Sequence, residues 1–560
     1  MSESDKNNAV QAETTSSEGR RMGLAAVVVT VFLTLGKFMG MGKEMLLSSL
    51  GAGWHTDAFK FAYNGVVITL YTKVEKLLRP TFLPEFVNVQ DTEGDARAWD
   101  ILGRVTALVL VTTTILVILC MVFARGIFEL LSPGLAQSPE DLARAVVLLR
   151  IMAPALALFS LSVMPELTLQ SYKKFTLPAL AEAIFRTSVV VLFAILLATI
   201  WPGKPPEAIF GAAWAVLFGS AIRLLAQLPG LRKRLGLFRL KLNIRDNLSV
   251  RTILRLMPPV VLGLIFASIR TWADMRFASE IGEGAYTCLD FARRIPDMLL
   301  QTLAMAVSVV VYPFLSEWAM KGEKNKLSDA LVSTTRAMAF VFVPVSVALM
   351  LVSLPIIKLV YQHGQFASQQ AELSALGVYW YSPGLFFSAM DAPINHWYFA
   401  FRDTATPNYM GVVFVLVHVL IGYLGVFHFG GNIRGKLSWV AAALTISKSG
   451  KVLSLYALLQ PRLGAINSRE VWKFAGKLVV STAAMALALW ALEQTLVPLL
   501  EAWEPPVGGV KLRALANLGV SAITGGAAYL AVASALRMEE MAIVKDILQR
   551  VGRKLRRGKG

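Results

Sequence analysis

Fourteen apolar runs, each about twenty residues long or longer, recur along this 560-residue chain and constrain its fold more than any other feature. They cover 24–42, 59–80, 101–123, 143–170, 177–201, 207–228, 253–279, 287–315, 331–360, 373–400, 407–427, 437–459, 471–495 and 512–536. A hydrocarbon layer roughly 30 Å thick is crossed by about 20 helical residues, so each run has the length of one crossing. Backbone groups in lipid must pair within their own segment, which predicts helices rather than open strands. Hydrophobic residues make up 55% of the chain and charged ones 16%, with a mean hydropathy of +0.57, a balance that excludes an ordinary water-soluble domain. The expected fold is an all-α polytopic membrane protein.

The formal charge of +18 would suit nucleic acid if it were spread over one soluble face, but it is clustered between the apolar runs. Arg232, Lys233, Arg234, Arg239, Lys241, Arg245 and Arg251 stand against one acid, Asp246, between the sixth and seventh runs. Arg550, Arg553, Lys554, Arg556, Arg557 and Lys559 crowd the end of the chain, whereas Glu280, Glu283, Glu493, Glu501 and Glu504 mark loops of the other sign. Because basic loops stay on the cytoplasmic side, the pattern predicts an even number of crossings with both termini in the cytoplasm. The basic tail is then expected to touch anionic lipid headgroups, not nucleic acid. The polar segment 1–22 reads as a disordered cytoplasmic tail, since Arg20 and Arg21 precede an apolar run that lacks a small-residue cleavage site. Cys120 and Cys288 lie far apart inside apolar runs, and the five histidines form no close metal-type pair. No phosphate loop or nucleophile elbow is present, so neither a cofactor nor a catalytic site is expected.

The chain also repeats itself. Pro84 and Pro313, Pro154 and Pro383, and Pro178 and Pro407 are each 229 residues apart, and Gly51 and Gly282 follow at 231. Their surroundings agree: Ala153-Pro-Ala-Leu-Ala-Leu-Phe-Ser160 stands beside Ser382-Pro-Gly-Leu-Phe-Phe-Ser388, and Lys173-Lys-Phe-Thr-Leu-Pro178 beside Arg402-Asp-Thr-Ala-Thr-Pro407. Two six-helix lobes, 23–228 and 253–460, joined by the basic loop 229–252, are therefore expected, followed by helices 13 and 14 in 461–538 and a basic tail, 539–560. An even-numbered repeat is parallel, and transporters rock such halves about a central site. Pro154, Pro165, Pro296, Pro383 and Pro393 predict breaks within their helices.

Ionisable residues within apolar helices cost about 2.5–3.5 kcal/mol each at the bilayer centre, so they must face protein or a wet cavity. They occupy matching places in the two halves: Lys37, Lys43, Glu44, Asp57, Lys60, Lys73 and Glu75 in the first, Arg270, Asp274, Arg276, Asp290, Arg293, Arg294 and Asp297 in the second. Arg270 with Asp274, Asp290 with Arg294, and Arg293 with Asp297 are four apart and share a helix face. Singly, such groups form internal salt bridges or snorkel to headgroups. As a set they predict a cationic cavity suited to an anionic guest such as phosphate.

Gly36-Lys-Phe-Met-Gly40-Met-Gly-Lys43-Glu44, Leu50-Gly-Ala-Gly53, Thr56-Asp57-Ala-Phe59 and Phe82-Leu-Pro84 resemble the opening of the MurJ (MviN) family of lipid II flippases. The second half agrees through Ala273-Asp274, Ala292-Arg293-Arg294, Tyr312-Pro313, Tyr361-Gln-His-Gly364 and above all Tyr398-Phe-Ala-Phe-Arg402-Asp403-Thr404-Ala-Thr406-Pro407. The resemblance implies movement of an undecaprenyl-pyrophosphate-linked peptidoglycan precursor between leaflets by alternating access, beside membrane lipids and the cell-wall synthesis machinery. It places Asp57 and Arg294 at the family's cavity aspartate and eighth-helix arginine, and Lys37 and Lys43 where first-helix arginines are common. The family's second-helix arginine falls near Leu70, one turn from Lys73 and Lys76. It also implies that helices 13 and 14 line a groove for the lipid tail. The expected binding residues are Lys37, Lys43, Asp57, Asp274, Arg293 and Arg294, with Lys73, Glu75, Arg270 and Arg402 as further candidates. The competing readings are a flippase for another polyprenyl-pyrophosphate glycan, a polytopic glycosyltransferase, a drug or cation antiporter, and a scaffold.

Overall fold

A computed structural model describes residues 28–243, 248–465, 467–502 and 509–542. The expected disordered tail, the loop charges Arg245 and Asp246, and the basic cluster from Arg550 onward lie outside them. Described regular structure is helical throughout, without a strand among the described residues. Helix α1 covers 28–48. Helix α2 (Trp54–Lys60) passes through a π-helical stretch (Phe61–Ile68) into α3 (Thr69–Glu93). The rest of the first half holds α4 (Asp95–Val122), the short α5 (Ala124–Leu131) and α6 (Pro133–Ala136), α7 (Pro139–Ser171), α8 (Thr176–Thr199) and α9 (Pro205–Gln227). There follow α10 (Leu248–Ile281), α11 (Ala285–Met320), α12 (Lys324–Leu351), α13 (Ser353–Tyr361), α14 (Ser368–Tyr381), α15 (Leu385–Ala400), α16 (Ala405–Leu424), α17 (Ile433–Leu459), α18 (Ser468–Ala502) and α19 (Gly509–Ala535).

Within the described residues each of the fourteen apolar runs falls on one helix or on consecutive ones, and the chain is a multi-pass membrane protein. Among the described residues, eight helices are long and apolar enough to cross a membrane by length and composition alone: α4, α7, α8, α9, α12, α16, α18 and α19. Ionisable side chains gather on α1, α2, α3, α10 and α11. These are the helices whose polar groups most need protein or water around them.

Several boundaries differ from expectation, each for a local reason. Helix α1 runs past 42 to 48 because the charges at Lys43 and Glu44 are neutralised in place, and Ser48 Oγ donates back to the Met45 carbonyl at 2.8 Å. Pro154 and Pro165 sit within the unbroken α7, Pro296 within α11 and Pro393 within α15, so four of the five expected breaks do not occur. A proline removes one ladder bond, and a long, well-packed helix absorbs that loss. Only at Pro383 does the rod change, into a 3-10 turn at Ser382–Gly384, where serine and glycine flank the ring and Ser382 Oγ donates to the Val378 carbonyl at 2.6 Å.

The chain divides into two compact units, Met1–Met275 and Arg276–Gly560. In the first, α7 is the central rod, packed by α3, α4 and α9, with α8 laid on α9. In the second, α14–α15 take that place, packed by α11, α12 and α17, with α16 laid on α17. Each unit thus builds the same plan from equivalent helices. The second unit adds α18 and α19, which pair and seal onto α12 and α13 through Phe340, Phe474, Leu489 and Tyr529, the Tyr529 hydroxyl donating to the Phe340 carbonyl at 2.8 Å.

The repeat extends to backbone conformation. Lys173 and Arg402, 229 residues apart, both take φ 58° in the left-handed region. Each follows a helix, and the bonds match: Lys173 N–H to Gln170 O and Lys174 N–H to Leu169 O, both 2.9 Å, against Arg402 N–H to Phe399 O and Asp403 N–H to Tyr398 O, both 2.9 Å. This is a Schellman closure in both places, formed without the usual glycine. In the second half the turn is fastened further. Asp403 accepts from the Thr406 N–H at 3.0 Å, the Thr406 hydroxyl at 2.8 Å and Arg462 Nη1 at 2.7 Å, and the buried Tyr398 hydroxyl donates to the Leu455 carbonyl at 2.7 Å.

Two outcomes follow from these turns. Lys173→Gly relieves the left-handed strain and raises stability by about 1 kcal/mol, whereas Lys173→Val lowers it by at least as much, read from thermal unfolding in detergent. The Thr406 backbone N–H and the Arg462 guanidinium hold the Asp403 carboxyl down at about 2. Because this lies below the value of about 3.9 in an unfolded chain, the stabilisation is complete above about pH 4 and is lost as pH falls toward 2. The stability gap between wild type and Asp403→Asn should therefore be widest near neutrality and close over that window; a gap independent of pH would refute the assignment.

Candidate functional site

In the first unit the expected site residues are held by four helices, α1, α2, α3 and α10. On α1, Gly36 and Gly40 leave room for Arg186 of α8: a Cβ on Gly40 would lie 2.8 Å from its Nη1. Lys43 pairs with Glu44 at 2.9 Å, and the other oxygen of Glu44 takes Lys60 from α2 at 3.3 Å. Lys60 is 1% exposed and Asp57, one turn earlier on α2, is 5% exposed, so both charges are held inside protein rather than in lipid. The Lys43 ammonium also stands 4.2 Å from the centre of the Tyr63 ring, a cation–π contact. Lys37 is half-buried on α1 and forms no ion pair among the described residues.

The π-helical stretch explains how α10 reaches this region. Widening the helix frees carbonyls from the regular ladder. The Gly65 carbonyl accepts from Trp272 Nε1 of α10 at 3.0 Å, and Thr69 Oγ1 donates to the Asn64 carbonyl at 2.6 Å. A Cβ on Gly65 would lie 2.6 Å from Met275 Sδ, so any larger residue would have to displace the end of the Met275 side chain. The segment so docked carries Arg270 and Asp274, paired at 3.2 Å. Along α3, Glu75 pairs with Arg79 at 3.0 Å, and Lys73, half-buried, has no ion pair among the described residues.

In the second unit, Arg294 pairs with Asp290 at 3.0 Å and Arg293 with Asp297 at 3.4 Å, both along α11. All three pairs expected from the four-residue spacing are thus formed. Arg276 pairs in the same way with Glu280. Arg402 occupies the left-handed turn after α15.

The structure also contains charge clusters that a search centred on the opening helices of each half passes over. Glu166 of α7 takes Arg79 at 2.9 Å and Arg223 of α9 at 3.2 Å; Arg223 reaches Glu182 of α8 at 3.3 Å, and Glu182 takes Arg186 at 2.8 Å. Arg223 is buried, 5.3 Å from the Tyr71 ring centre and 5.8 Å from that of Phe159. In the second unit, Asp391 of α15 takes Lys448 and Lys451 of α17, the latter at 2.6 Å. Each half thus pairs an acid on its central rod with bases on the rod's α9 or α17 partner. The signal was available, since Glu166, Arg223, Asp391, Lys448 and Lys451 are also ionisable groups inside apolar runs.

The basic loop, by contrast, spends charge on docking. Arg234 pairs with Asp95 at 2.6 Å and Lys241 with Asp100 at 2.5 Å, both acids lying in the first two turns of α4, where the helix dipole favours them. A Cβ on Gly103 would run into the Arg239 carbonyl oxygen, so the loop backbone lies directly against α4.

A family model described as "Lipid II flippase MurJ" matches residues 46–500. A probable lipid II flippase MurJ of Rhizobium meliloti is 26% identical over 526 residues, covering 92% of this chain and 94% of that protein. The lipid II flippase MurJ of Burkholderia cenocepacia is 24% identical over 407 residues, 71% of this chain and 77% of that one. Among solved structures, a lipid II flippase MurJ in an inward closed conformation aligns with TM-score 0.71 at 21% identity, covering 91% of this chain and 98% of that chain. An inward-facing multidrug resistance MATE transporter of the MOP superfamily aligns with TM-score 0.63 at 15% identity, over 78% of this chain and 98% of its own. At these identities the structural likeness is one of fold.

Removing one member of a buried ion network strands the others in low dielectric. Arg223→Leu, which leaves Glu166 and Glu182 short of a partner, should cost about 3–5 kcal/mol, while Arg125→Leu, at an exposed pair, should cost less than about 1 kcal/mol. Unfolding of the two variants in detergent, side by side with wild type, measures the difference.

Proposed function

Because this chain belongs to the lipid II flippase MurJ family, we propose that it carries lipid II, the undecaprenyl-pyrophosphate-linked peptidoglycan precursor, across the bacterial inner membrane by alternating access. The observation that carries this reading is the family match over residues 46–500, together with the same helical plan built twice. The pyrophosphate is the part of such a substrate that most resists lipid, and the ionisable groups of α1, α2, α10 and α11 are suited to receive it. In this proposal Lys37, Lys43, Arg293 and Arg294 meet the phosphates, while Asp57 and Asp274 orient the bases. Lys73, Glu75, Arg270 and Arg402 extend the polar path. Arg294 supplies a guanidinium fork that fits two phosphate oxygens, whereas Lys37 and Lys43 act as point charges. The carboxylates paired with the arginines balance their charge until the substrate's phosphates replace them.

In this reading both termini lie in the cytoplasm, which the basic loop and tail favour under the positive-inside rule. No chemical step is assigned to the chain; it acts by binding and release, and hands its cargo to the cell-wall synthesis machinery. Drug export, the activity named for the MATE neighbour, is the second reading. The excess of lysine and arginine among the candidate residues suits an anion better than a cationic drug.

Complementation of a strain depleted of its own lipid II flippase tests the proposal. Wild type should restore growth, Arg294→Ala and Asp57→Ala should abolish rescue at equal membrane abundance, and Arg276→Ala should retain it. Full rescue by all three variants would remove these residues from the site, and failure of wild type would count against the substrate.

A further inference from the structure

The second unit contains a hollow lined by none of the residues proposed above to meet the substrate's phosphates. It lies where α12 gives way to α13 and where α18 and α19 meet, with a cavity volume of about 260 Å3. Leu351, Leu354 and Leu489 form part of its apolar wall. Lys358 of α13 and Arg513 of α19 line it as well, and neither has an ion pair among the described residues. Arg513 Nε is shut away from solvent without a hydrogen-bond partner among them. Glu493 of α18, exposed, is the acid in the lining, and the polar remainder includes Asn517, whose side-chain oxygen accepts from Ser521 at 3.1 Å.

A lone lysine or arginine near a helix end can snorkel to the headgroups, and that requires no cavity. Here two cations from different helices line one concavity, and a buried guanidinium N–H lacks the acceptor that its desolvation demands. Arg513 also lies in the first turns of α19, where the helix dipole adds positive potential. Two bases and one acid leave the hollow with a net charge of +1, which complements one phosphodiester. The flanks are suited to hydrocarbon, since Leu487 and Trp490 of α18 and Leu515 and Ile523 of α19 are exposed.

We propose that this hollow binds an anionic membrane phospholipid. Its phosphodiester accepts hydrogen bonds from Lys358 and from the Arg513 fork, Glu493 and Asn517 take the hydroxyls of a glycerol headgroup, and the acyl chains follow the apolar side chains of α18 and α19. The bound lipid ties α13 to α18 and α19 by bridging charges that have no ion pair among the described residues.

Native mass spectrometry of the full-length protein in detergent, titrated with phosphatidylglycerol or phosphatidylethanolamine, tests this. Phosphatidylglycerol should be retained about tenfold more tightly, and Lys358→Gln combined with Arg513→Gln should erase the preference. Glu493→Gln should keep or strengthen it, and Lys473→Gln, exposed near the start of α18, should leave it unchanged. Equal retention of the two lipids by wild type, an undiminished preference in the double variant, or tighter binding of undecaprenyl phosphate than of phosphatidylglycerol would overturn the proposal. If the double variant does not fold, a photoactivatable phosphatidylglycerol decides on wild type: adducts confined to α13, the second half of α18 and the first half of α19 support the site, and adducts spread over the lipid-facing helices refute it.

Discussion

An ionisable side chain placed in hydrocarbon must find a partner of opposite charge, reach the headgroups or lie against water, and this constraint organises both units of the chain. Lys60 and Glu44 meet across α1 and α2, Glu166 gathers arginines from α3 and α9, and Asp391 gathers two lysines from α17. Such bonds join helices whose apolar faces are otherwise as compatible with lipid as with one another. Apolar burial alone specifies little inside a membrane, because lipid tails solvate leucine as well as a neighbouring helix does. Charge pairing and close glycine contacts therefore select which helices meet, as Gly40 does with Arg186 and Gly65 with Trp272 and Met275.

Duplication preserved the backbone more faithfully than the side chains. The central rods α7 and α14–α15 keep the same neighbours, and the turns at Lys173 and Arg402 keep the same two hydrogen bonds and the same φ. Their chemistry differs. Arginine forks serve Glu166, while lysine point charges serve Asp391, and the second turn alone is fastened by an aspartate. A fold constrains the path of the chain wherever helices must close and pack, but it constrains a buried charge only to be matched.

What could be read before any coordinates follows from short-range rules. The three ion pairs on α10 and α11 are four residues apart, a separation that fixes their geometry once the helix is granted. The proline ladder at 229 residues revealed the repeat because proline marks equivalent backbone positions whatever surrounds it. Expectation failed where proline was read as a break: four of the five sites named lie in continuous helices, since packing along a long rod outweighs one missing hydrogen bond. Nor could spacing pair Glu166 with Arg223, which stand 57 residues apart on helices that meet through tertiary packing.

The amino-acid order by itself determined that the chain is a bundle of membrane helices, that it is built twice and that it carries too much positive charge for its membrane interior to be inert. Hydropathy, periodicity and spacing along one helix are local quantities, and a linear sequence states them directly. Only tertiary structure decided which helix each buried charge would answer to, that Gly65 would admit α10 against a widened turn, and that Lys358 and Arg513 would share one hollow with the single acid Glu493. Those outcomes depend on distances between residues remote in the chain, which are set when whole helices pack and not by any segment alone.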